Sequence, residues 1–243
     1  MKKNEMDTLL LILRTYTVPI LAAACFPLVG VLLWMVRDVL QIRLKQVVLL
    51  AVTFVAFGLT SIIVFGMIHD LKLFPNSTFQ HQGLMLFMPF WFLGVAKLMK
   101  RDWRDVFDTF AVVMPFVVAG VRIYCILQGC CYGITFRKPV HFTVPVRELT
   151  ILLNVIVGVL MLRQSRQQHI RGILFPTYTM AYSVIRFSEV ALWGSIARDQ
   201  FFVDRGLAIF NFILGFGLFL ELKDRDGQTA KASGHGTKRT KRK

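Results

Sequence analysis

The chain has 243 residues, 55% of them hydrophobic and only 18% charged, with 22 Phe and a mean hydropathy of +0.58, a balance that excludes an ordinary soluble domain. Its 29 Lys+Arg against 14 Asp+Glu leave a net charge of +15. The basic residues fall between long apolar runs, which argues for a membrane and against nucleic acid as the partner.

In chain order the apolar runs are Thr17 to Val36, Val47 to Ile68, Gly83 to Met99, Val106 to Gln128, Val146 to Leu162, Ile173 to Trp193 and Val203 to Leu222. Each is near the roughly 20 residues that a helix needs to cross a bilayer. The expected fold class is therefore all-α, a polytopic integral membrane protein with seven transmembrane helices spanning residues 1–226. The runs are continuously apolar, which rules out the short alternating strands of a membrane β-barrel. Pro89 and Pro115 fall inside the third and fourth runs and predict kinks. Lys2 and Lys3 before the first run, with Leu21 to Cys25 loosely like a lipoprotein cleavage site, raise a signal peptide; the run continues to Val36, which favours an uncleaved span. Residues 227–243 turn to Gly, Ser, Thr and Lys and end on a basic cluster, read as a disordered cytoplasmic tail that fixes topology and attracts anionic lipid.

Orientation follows from the loops. Arg37, Arg43 and Lys45, then Lys97, Lys100, Arg101 and Arg104, then Arg163, Arg166 and Arg171, mark three loops as cytoplasmic, as does the tail. The intervening loops are poorer in basic residues. This gives an N-out, C-in bundle. Four Cys, three of them at Cys125, Cys130 and Cys131, are too few and too clustered for a disulfide scaffold.

Three ionisable residues lie where the membrane should be dry: Arg122, Arg186 and Glu189. An ionised group at a membrane-helix centre costs about 2.5 to 3.5 kcal/mol, so something must offset it. Counted from the cytoplasmic ends of their helices at 1.5 Å per residue, Arg122 rises about 24 Å and Arg186 about 20 Å. The two reach similar depth near the outer surface. Tyr178, Tyr182, Arg186 and Glu189 follow one helical face. One reading is internal neutralisation, with Arg186 paired to Glu189 and Arg122 snorkelling to the headgroups. The other is a phosphate site, because two guanidinium forks at headgroup depth suit a lipid phosphate. His81, Gln128, Cys130, Cys131 and Tyr132 fall on the same outer side.

The segment Arg122 to Gly133 resembles the signature of the prolipoprotein diacylglyceryl transferases, G-R-x-G-N-F-x-N-G-E followed by a Tyr-Gly pair, with Arg122, Gly129, Tyr132 and Gly133 in register. Phe79 to Leu84 resembles the family's F-H-G-G-L and places His81 on its essential histidine. Pro145, Val146, Arg147 and Asn154 resemble the start of the following helix. Tyr182 to Glu189 resembles the Y-x-x-x-R-F-x-x-E stretch. The signature's Asn, Asn and Glu are replaced by Cys125, Gln128 and Cys130, Val121 stands for its first Gly, and Glu189 comes one residue early. The string Gly-Cys-Cys-Tyr-Gly is that of a divergent branch.

The resemblance implies transfer of the diacylglyceryl group of phosphatidylglycerol to the lipobox cysteine of a preprolipoprotein signal peptide, at the outer face of a bacterial inner membrane, with glycerol phosphate released. That chemistry needs a thiolate, a base and positive charge on the departing phosphate. It implies His81 as base or relay, Arg122 and Arg186 as phosphate ligands, and Gln128, Tyr132, Tyr182, Glu189 and Arg147 as substrate-binding residues. No cofactor and no metal are expected. Cys130 and Cys131 raise covalent catalysis, against a tight turn between Gly129 and Gly133. A phospholipid-binding protein without catalysis and a small-anion transporter are the competing functions.

Overall fold

A computed structural model describes residues 23–37, 42–71, 82–128, 133–136, 142–167, 171–192 and 198–239. Seven helices lie among them: α1 (Ala23–Met35), α2 (Leu44–Asp70), α3 (Gln82–Met99), α4 (Trp103–Gln128), α5 (Val146–Ser165), α6 (Leu174–Ala191) and α7 (Arg198–Arg239). Two-residue strands β1 (Thr135–Phe136) and β2 (Phe142–Thr143) form a small antiparallel ladder between α4 and α5. The architecture is helical apart from that ladder.

Four helices are long and apolar enough to cross a membrane, over Leu44–His69, Gln82–Met99, Trp103–Ile123 and Phe202–Asp226, and Ala23–Met35 is a shorter apolar helix. Helices α5 and α6 fall outside that set: α5 carries Arg147, Glu148 and Arg163 within its 20 residues, and α6 carries buried Thr179, Ser183, Arg186 and Glu189. Large apolar side chains such as Val155, Ile156, Ile213 and Phe216 point outward instead of in. An outer surface of that kind suits hydrocarbon and not water.

Helix α4 is the axis of the fold. It packs on α3, α5 and α6, while α6 also packs on α5 and α7, and α2 packs on α3. The apolar window of α4 is 83% buried and that of α7 only 22%, which separates the central helix from the peripheral one. At the end of α4 nearer its start, the core is aromatic. Phe110 stacks between Phe92 at 4.8 Å and Phe54 at 5.3 Å, and Phe107 meets Phe175 edge-on at 4.7 Å. These offset and edge contacts add to the apolar burial.

Helix α6 has no capping side chain of its own, since Ile173 occupies its N-cap. Asp108 of α4 does that work from across the interface. Its buried carboxylate accepts hydrogen bonds from the backbone N–H groups of Gly172 at 2.7 Å, Leu174 at 2.9 Å and Phe175 at 3.2 Å. A negative charge is favourable there because the unpaired amides and the helix dipole point at it.

Helix α3 starts where the backbones of α2 and α3 nearly touch. A Cβ on Gly83 would lie 2.2 Å from the Ser61 carbonyl oxygen, so only glycine fits. Helices α3 and α4 continue through Pro89 and Pro115. The helical backbone of α7 runs to Arg239.

Candidate functional site

The far end of α4 brings Arg122 against α6. Arg122 is 2% exposed, and its Nη2 is in direct contact with both carboxylate oxygens of Glu189. Arg186, 1% exposed, donates from Nη1 to Glu189 Oε2 at 3.1 Å and from Nη2 to Asp204 Oδ2 of α7 at 2.9 Å. The two arginines therefore share one carboxylate oxygen. Arg122 does not snorkel outward, because a partner meets it inside the protein.

Periodicity accounts for the α6 side of this arrangement. Tyr178, Tyr182, Arg186 and Glu189 are all buried, as expected of one inward face. The rings of Tyr178 and Tyr182 lie 6.2 Å apart. Among the described residues the Tyr178 hydroxyl makes no hydrogen bond, and neither does either amide atom of buried Gln82 at the start of α3. Buried polar groups of that sort cost about 1 to 3 kcal/mol each when left unpaired, so they mark places where a polar ligand group gains most.

Two acidic or titratable members of the cluster escape a reading of the sequence alone. Asp204 lies one residue inside the last apolar run, where it reads as a loop residue offsetting Arg205. In the fold it is 1% exposed and bound to Arg186. His69, in the last turn of α2, places Nε2 4.0 Å from Asp204 Oδ1. The signal for Asp204 was its position in an apolar run, the same signal that singled out Arg122.

A short connection closes this end. Ile134 donates its backbone N–H to the Leu192 carbonyl at 2.9 Å, and Val144 donates to Ile134 at 3.1 Å. The α4–α5 hairpin is thus tied to the end of α6. Gly133 is required for the approach, since a Cβ there would sit 2.2 Å from the Val144 oxygen. That is a structural reason for a glycine in the Tyr-Gly pair.

A small apolar cavity of about 20 Å³ lies among α1, α2, α3 and α4, walled by Cys25, Phe54, Ile62, Leu84, Val117 and Val121.

Cys125 joins the cluster by accepting from Arg122 Nη1 at 3.7 Å. Arg147 lies in the first turn of α5, with Nη2 3.4 Å from Glu148 Oε1, and no contact described brings it into the cluster. His81, Tyr132, Cys130 and Cys131 lie outside the described residues, as does the side chain of Gln128. Among the described residues, no three His, Cys, Asp or Glu side chains gather as a metal site. No family model matches the chain, and no curated protein matches it.

Proposed function

We propose that this protein is a multi-pass membrane transferase that moves the diacylglyceryl group of phosphatidylglycerol to the cysteine thiol of a preprolipoprotein signal peptide. The observation that carries the reading is the meeting of Arg122 and Arg186, from separate helices and both buried, on the single oxygen Glu189 Oε2. Paired guanidinium donors in a poorly hydrated site are the group best suited to a phosphate that gains charge as it leaves. In this reading seven helices span a bacterial inner membrane, N-out and C-in, and the arginines lie toward the outer face. The thiol sulfur attacks the glyceryl carbon, the carbon–oxygen bond to phosphate breaks, and glycerol phosphate leaves. His81 takes the thiol proton.

The test incubates the purified protein with phosphatidylglycerol labelled in its diacylglyceryl moiety and a lipobox peptide. Label on the peptide cysteine is the expected result. Its absence, with the lipid still bound, moves the assignment to a second reading, phospholipid binding without transfer.

A further inference from the structure

The charged cluster is neutral before any ligand arrives, with Arg122 and Arg186 set against Glu189 and Asp204. A phosphate that takes the Nη1 and Nη2 donors of Arg186 competes with the carboxylates already on them. The two carboxylates are not held equally. Glu189 is gripped by both arginines, whereas Asp204 is gripped by Arg186 alone. Asp204 is the weaker-held partner and the one that yields.

A carboxylate set loose in a buried site would cost several kcal/mol unless another group received it. His69 is in place to do so. Asp204 Oδ1 accepts no hydrogen bond among the described residues and faces His69 Nε2 at 4.0 Å, with the two side chains 1% and 4% exposed. Movement of about 1 Å brings this pair to hydrogen-bond distance. We propose that Asp204 is a resident stand-in for the phosphate, handed from Arg186 to His69 when a phosphate ester binds.

His69 also neighbours the Phe65 ring of its own helix at 6.1 Å. His69 acts through Asp204 and is a positioning residue. This inference rests on the phosphate reading of the site but not on transfer, so it survives if the protein binds lipid and catalyses nothing.

The experiment measures binding of two probes, phosphatidylglycerol in nanodiscs and soluble glycerol phosphate, to wild type, Asp204→Asn, His69→Gln and the double variant. Asp204→Asn keeps the shape but removes the competing charge, and about tenfold tighter binding is expected. His69→Gln is expected to weaken binding about tenfold in the wild type and by less than about twofold once Asp204 is Asn, because the exchange no longer needs a receiver. Whichever probe shows the pattern names the source of the phosphate. Unchanged or weaker binding of both probes by Asp204→Asn, or additive effects in the double variant, overturns the proposal. If Asp204→Asn does not fold, the roughly tenfold weakening expected in His69→Gln decides alone, and wild-type binding in that variant overturns the proposal. Label transfer in the earlier assay is a separate readout, so failure of the enzyme reading and failure of the exchange are distinguishable.

Discussion

Helix α4 carries one buried charge near each end, and both tie it to α6, yet they do so in different chemical terms. At one end Asp108 is held by three backbone amides of Gly172, Leu174 and Phe175, which cannot leave without unwinding the start of α6. At the other end Arg122 is held by a side chain, Glu189, which is itself shared with Arg186. Backbone partners make an anchor. Side-chain partners make a contact that rotamer changes can exchange. The difference separates the part of the α4–α6 interface built for stability from the part that can respond to a ligand.

The comparison breaks most readily at the anchor. Asp108→Ala leaves three buried amides without an acceptor and should cost about 3 to 5 kcal/mol of stability. Thermal unfolding in detergent checks this; a variant as stable as wild type would mean the amides find other partners. At the exchangeable end, Arg122→Lys or Arg186→Lys keeps the charge and removes the fork, with transfer falling about 100-fold, near 2.7 kcal/mol of activation free energy. Unfolding temperature should move far less than in Asp108→Ala. Wild-type transfer rates in either lysine variant would contradict the phosphate role.

Gly83→Ala sharpens the same contrast from a third position. Its Cβ would press on the Ser61 carbonyl, and a loss of about 1 to 3 kcal/mol is expected, visible in unfolding. The smallest effect belongs to Cys125→Ser. Its sulfur accepts from Arg122 at the long distance of 3.7 Å, so stability should change by less than about 0.5 kcal/mol and turnover should hold. A large loss of turnover in Cys125→Ser would give that thiol a part in the reaction.

Much of the helical layout is legible from apolar runs alone. The run Val146 to Leu162 corresponds to α5 (Val146–Ser165), and Gly83 to Met99 to α3 (Gln82–Met99), because bilayer-scale apolar length and helical backbone satisfaction act on every residue of a run. The inward face of α6 is legible for the same reason, from a spacing of side chains along a single helix. What joins separate helices is not. Nothing in the local sequence pairs Asp204 with Arg186 eighteen residues earlier, or Asp108 with amides more than sixty residues away. Asp108 sits only two residues inside an apolar run, where the same desolvation argument that exposed Arg122 applies to it. Its partners, being backbone, leave no mark in the composition.

The Asp108 end of the α4–α6 seam is kept shut by backbone amides. In the proposed reading a two-tailed lipid therefore reaches the arginines from the flank, where α7 leaves most of its apolar face uncovered and holds Arg186 through Asp204.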